Sequence, residues 1–112
     1  SVKKVYYPGL SQHKTHSIAS KQMQYFGGML SFELNGGIEV ARKCIDKLKL
    51  ATIAPTLGDV NTLIMHPYTM SHRNVPSAVR EKYGISEGLI RVSVGIEAIN
   101  DLINDFRQSL TE

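Results

Sequence analysis

A single cysteine, Cys44, stands in the 112 residues, so no disulfide can close within the chain. Such sparing use fits a reducing compartment, and a cytoplasmic location is the expectation. No apolar run approaches the roughly 20 residues that cross a bilayer, so no membrane-spanning helix is expected. The opening stretch SVKKVYYPGL has neither an apolar core nor a small-residue cleavage site. It is therefore not expected to be a secretory leader. Met is missing from the first position, and the chain opens on what already reads as a strand. A piece of a longer protein is the expectation. Charge of one sign is also scarce: the net charge is +3 and the pI about 9.1. The basic residues are scattered, so no nucleic-acid stripe is present. No CxxC, HExxH or EF-hand pattern occurs, and nothing repeats at a fixed period.

What is there is ordinary globular material, 42% hydrophobic and 21% charged, which excludes a disordered tail. The length fits one domain, residues 1–112, with a single core. Hydrophobic periodicity alternates between strand and helix. Val2 to Tyr6 reads as a strand stopped by Pro8-Gly9. Ser11 to Met23 reads as a helix with Ser11 as N-cap. Met29 to Leu34 alternates as a half-buried strand, and residues 37–48 place Ile38, Ala41, Cys44, Ile45 and Leu48 on one helical face. Short strands follow at Ala51–Ala54 and Leu63–Met65, with the segment Thr56-Leu57-Gly58-Asp59 as a loop between them. A helix is predicted from Asn74-Val75-Pro76, with Pro in the first turn, to Tyr83, where Gly84 stops it. Leu89 to Val94 alternates again, with Ile90, Val92 and Val94 on one face and Leu89, Arg91 and Ser93 on the other. Ile99, Leu102, Ile103, Phe106 and Leu110 mark the final amphipathic helix. The expected fold is α+β: an antiparallel or mixed sheet of four to five strands with helices packed on one face.

Arg91 is the residue that asks for an explanation, because it interrupts the apolar strand LIRVSVG. A guanidinium is a planar fork that matches a carboxylate bidentately, and a strand gives it a rigid base. The plainer alternative is an edge-strand arginine paired with an acid, or one whose stem lies along apolar surface. His13 and His16 are three apart, a weak metal signal without a third ligand, and His66 and His72 flank a loop. Solvated or capping roles are expected for all four, and no metal site. Cys44 on an apolar helical face reads as packing. Asp101 and Asp105 read as the solvated side of the last helix. No nucleophile–base constellation and no Schiff-base lysine context can be argued from spacing.

The strings VYYPGL, HKTH, FGGMLSFELNGG, TLGDVNTLIMHPYTMSH and YGISEGLIRVSVGIEAINDLINDF, in that order, resemble one family. It is the Cys/Met metabolism group of pyridoxal-phosphate-dependent enzymes, with methionine γ-lyase, cystathionine γ-lyase, cystathionine β-lyase and cystathionine γ-synthase among its members. The resemblance covers nearly the whole chain, and it implies the small C-terminal domain of a fold-type I enzyme. The pyridoxal phosphate and its lysine would then lie in a larger domain outside this chain, leaving no catalytic and no cofactor-binding residue here. Arg91 matches the family arginine that grips the substrate α-carboxylate. Thr56 stands where the family usually has Ser in an SLG motif, and Leu57 follows in the same loop, lining the substrate site through its backbone. Pro55 stands where cystathionine-specific members often carry Glu. Asp59 gives LGD, as in methionine γ-lyases. HKTH lacks the proline of the usual HPxH. The resemblance implies a carbon–sulfur lyase acting on a sulfur amino acid, most like methionine γ-lyase, with the cystathionine lyases and synthase as alternatives. It also implies a homotetramer, with neither nucleic acid nor membrane as partner. A non-catalytic ligand-binding or oligomerisation module is the alternative of another class.

Overall fold

The computed structural model describes residues 2–72 and 74–111. Five strands and four helices follow one another: β1 (Val2–Tyr6), α1 (His16–Gln22), β2 (Met29–Leu34), α2 (Gly37–Lys47), β3 (Thr52–Ile53), β4 (Leu63–Met65), α3 (Ser77–Lys82), β5 (Leu89–Ser93) and α4 (Ile99–Leu110). The strands form one mixed sheet in the order β1-β2-β5-β4-β3. Among the described residues only the β3–β4 pair is parallel. The α+β expectation holds, with five strands. Among the described residues no helix is long and apolar enough to cross a membrane.

The alternation read from the sequence becomes two chemically different faces. Cross-strand partners set Leu30 beside Val92, Val92 beside Ile64, and Phe32 beside Ile90. That face carries the core, in which Phe32, Leu34, Ile64, Ile90 and Val92 cluster with Ala41 and Cys44 of α2. Phe106 and Leu110 of α4 close over it. Each fully buried aliphatic side chain here is worth about 1.5 to 3 kcal/mol of transfer free energy. The opposite face sets Arg91 between Ser31 and Met65, and Ser93 between Met29 and Leu63.

Three expectations need correction. The helix expected from Ser11 begins only at His16. From Leu10 to His16 the chain makes successive three-residue turns, in which the N–H groups of Leu10, His13 and His16 donate to Tyr7, Leu10 and His13. That stretch buries too little to favour a full helix; within α1 only Ala19 is buried, and Ile18 stays exposed. Asp105 is not on a solvated face. It is 6% exposed, and its carboxylate accepts the N–H groups of Lys49 and Leu50 at 2.8 Å and of Ala51 at 3.3 Å. It thereby satisfies the backbone as the chain leaves α2 for β3. Pro76 also shifts by a step, standing as the N-cap of α3 rather than inside its first turn.

Cys44 is buried, with its Sγ 3.5 Å from the Ser109 hydroxyl. Burial pushes its thiol up, against the lowering effects of Ser109 and Lys47. A thiol kept protonated is a packing group, as read from the sequence.

Candidate functional site

A chain leaving β3 must return to the start of a parallel neighbour, so no tight turn can join them. Because β3 and β4 are only two and three residues long, the return is short, residues 54–62. This excursion is the Thr56–Asp59 loop. It leaves the sheet just after Ala54, whose N–H donates to Ile64 at 3.0 Å. Met65, the next residue of β4, is the cross-strand partner of Arg91. The guanidinium therefore meets the loop: Nη2 donates to the Thr56 carbonyl at 2.8 Å and lies 3.4 Å from that of Pro55.

The surroundings of Arg91 bear on the alternative of an edge-strand arginine paired with an acid. β5 is the central strand, not an edge. The ion pairs among the described residues, Lys3–Glu33 and Arg42–Glu39, leave Arg91 out. Its Nε is buried without a partner among the described residues. A buried charged donor left unpaired is costly, so this guanidinium is not the satisfied end of a structural ion pair. Arg91 and Thr56 are brought together, through the Thr56 carbonyl. The Thr56 side chain and Leu57 are exposed, Leu57 at 58%.

The far end of the loop is tied to the turn after β5. The Thr62 N–H and hydroxyl both donate to the Glu97 carboxylate at 2.7 Å, and the Gly95 N–H donates to Thr62 Oγ1 at 2.9 Å. The Thr62 N–H and then its hydroxyl hold the Glu97 carboxyl below its usual range, against a smaller opposing effect of burial. Ile96 donates to Val60 at 2.9 Å. A Cβ at Gly95 would lie 2.3 Å from the Val60 carbonyl oxygen and 2.6 Å from the Thr62 nitrogen, so only glycine admits this approach. Gly95→Ala is expected to cost about 2 kcal/mol, because backbone rather than a flexible side chain must move. Thermal melting of the variant measures it; an unchanged Tm would show that the two segments do not pack as closely as described. Thr62, Ser93, Glu97 and Gly95 were not singled out from the sequence. Only the polar Ser93, two residues after Arg91 on one strand face, carried a usable signal.

The histidines do not gather. His13 Nδ1 lies 3.2 Å from the Thr15 N–H, which donates to it, and His16 Nδ1 lies 2.7 Å from the Pro8 carbonyl. His66 is spoken for at both ring nitrogens, by Thr69 Oγ1 at 2.7 Å and the Glu87 carbonyl at 2.6 Å. His72 contacts Ser71. A large apolar groove, about 620 Å³, lies on the opposite sheet face, lined by Val5, Leu30, Val94, Ile103 and Phe106. It lies across the sheet from the Arg91 side chain, and its lining is mostly apolar.

Comparison with known proteins follows the same map. The family model described as Cys/Met metabolism PLP-dependent enzyme matches residues 1–111. A cystathionine β-lyase of Coxiella burnetii is 52% identical over 109 residues, which are 97% of this chain and 28% of that protein. An L-methionine γ-lyase of Fusobacterium nucleatum subsp. polymorphum is 49% identical with the same coverage. A solved cystathionine γ-synthase of Xanthomonas oryzae pv. oryzae, in complex with cystathionine, superposes with a TM-score of 0.91 at 45% identity, over 97% of this chain and 28% of that one. The chain thus spans little more than a quarter of the length of these relatives. With the match running from the first strand through the last helix, this chain belongs to the family of pyridoxal-phosphate-dependent enzymes of cysteine and methionine metabolism.

Proposed function

We propose that this chain is the small C-terminal domain of a carbon–sulfur lyase acting on a sulfur amino acid, and that it supplies the grip on the substrate α-carboxylate. The observation that carries the reading is Arg91: a guanidinium on the central strand, braced by the Thr56 carbonyl, with a buried unpaired Nε and no acidic partner among the described residues. Bracing one nitrogen on a loop fixes the plane of the fork, and a fixed fork holds a carboxylate in one orientation. Fixing the carboxylate fixes the torsion at Cα, so binding energy becomes orientation. Thr56 and Leu57 would border the same substrate through their backbone.

Pyridoxal phosphate does not fit the residues of this chain alone. Holding it takes a sheltered lysine, and every described lysine is exposed. The exposed Leu57, Val60 and Ile96 lie along the loop and the turn bonded to it, at 58%, 62% and 83% exposure. Apolar surface of that kind beside a half-built site fits contact with the rest of a larger protein. The proposed assembly is a homotetramer in the cytoplasm.

Two substrates separate the members. The loop Leu57-Gly58-Asp59 favours methionine γ-lyase; the 52% identity to a cystathionine β-lyase favours the second reading. Full-length protein supplied with L-methionine is expected to release methanethiol, 2-oxobutanoate and ammonia. Pyruvate and homocysteine from L-cystathionine, with methionine untouched, would move the assignment to the β-lyase. No oxo acid from either would overturn the lyase reading.

A further inference from the structure

The loop that braces Arg91 is anchored a second time, by a neighbour on the same strand. Ser93 follows Arg91 by two residues, so strand geometry points both side chains to one face. It is 3% exposed, and its Oγ accepts the Gly58 N–H at 2.9 Å. One strand therefore holds the segment Thr56–Gly58 at both ends, by a donor on the Thr56 carbonyl and an acceptor on the Gly58 N–H. Gly58 has φ +78°, while a Cβ there would meet nothing within 4 Å. Glycine is needed here for the backbone turn that aims its N–H at Ser93, not for space.

The two anchors are unequal. The bond from Arg91 belongs to a side chain that, on the function proposed above, also holds a ligand. A loop resting on that bond alone would loosen whenever the guanidinium adjusted to a carboxylate. The bond to Ser93 is independent of any ligand. It keeps the Thr56 carbonyl in place as a fixed acceptor, and the fixed acceptor sets the plane of the fork.

We infer that Ser93 is a positioning residue for the carboxylate grip, acting through Gly58 and Thr56 on Arg91. The inference rests on the reading of Arg91 as that grip. Its test is a kinetic double-mutant cycle on the full-length holoenzyme, with L-methionine or L-cystathionine as the probe, whichever is turned over. Ser93→Ala is expected to raise KM roughly three- to tenfold, the range of one modest hydrogen bond, with kcat within about threefold. Ser93→Thr, which keeps the hydroxyl acceptor, should return KM to within about twofold. In an Arg91→Ala background Ser93→Ala should change nothing further, because residues acting as one unit are not additive. Equal losses in both backgrounds, or a wild-type KM for Ser93→Ala, would overturn the inference. Should Ser93→Ala fail to fold, Ser93→Cys fills the site with a weaker acceptor and is expected to raise KM; an unchanged KM again overturns the inference. Wild-type kinetics for Arg91→Ala alone would instead overturn the underlying reading of Arg91, so the two failures are distinguishable.

Discussion

Arg91→Ala in the full-length protein is expected to lower kcat/KM by roughly a hundredfold or more. A charge-assisted bidentate grip in a partly dry site is worth roughly 2 to 4 kcal/mol, and each 1.4 kcal/mol is about tenfold. The grip both binds and orients, so KM and kcat should both suffer. Arg91→Lys should restore only part of the loss, because an ammonium is a point charge and cannot define a plane. Thermal stability should fall little, since the side chain leaves only its bonds to two carbonyls of the exposed loop, that of Thr56 at 2.8 Å and a longer one of Pro55 at 3.4 Å, each worth about 1 kcal/mol at most. A structural arginine predicts the reverse pattern, a lowered Tm with near-normal kinetics. Measuring both on one preparation decides between them.

Asp105→Ala is expected to be the most destabilising of these substitutions, at about 3 to 4 kcal/mol. It strips the acceptor from the N–H groups of Lys49, Leu50 and Ala51 at the exit of α2. Burial alone would raise this carboxyl, but the N–H groups of Lys49 and Leu50, with Gln108 and Ala51, outweigh it and hold it below the usual range. A depressed folded-state value stabilises the fold above the unfolded value, about pH 3.9, and that contribution is lost as pH falls through the folded value. Wild-type stability should therefore drop below about pH 4. Asp105→Asn should start lower and lose less on acidification. A pH series of melting temperatures checks both; parallel curves for the two proteins would remove Asp105 from the account.

The strands were legible because alternation survives folding: Leu30 and Phe32 did go in, and Ser31 and Arg91 did take the other face. Helix α4 shows where periodicity stops. Its apolar stripe is real, yet Ile99 and Ile103 are 63% and 45% exposed, while Asp105 and Ser109 are buried. The helix seats only part of the stripe on the sheet, Ile99 and Ile103 line the open groove, and the polar edge turns toward the exit of α2. Which edge of a stripe is buried depends on the neighbour, and the neighbours here are distant in sequence. The site divides in the same way. Arg91 stood out as a charge in an apolar strand. Its brace did not, because that brace is a backbone carbonyl 35 residues away, and a carbonyl has no letter in the sequence. Ser93 shared a strand face with Arg91 in the sequence, but its partner, the Gly58 N–H, has no letter either; that bond and the Thr62–Glu97 tie become informative only when β3, β4 and β5 lie side by side.

The most direct measurement of the carboxylate grip compares two ligands that differ only in that group. L-Alanine and ethylamine both present an amine, and neither carries a leaving group. Their inhibition constants are to be measured on full-length wild-type and Arg91→Ala protein. The wild type should favour L-alanine strongly, and Arg91→Ala should lose roughly a hundredfold for L-alanine while its affinity for ethylamine stays within about threefold. Equal loss for both ligands, or an undiminished preference for L-alanine, would contradict the assignment of Arg91 to the carboxylate.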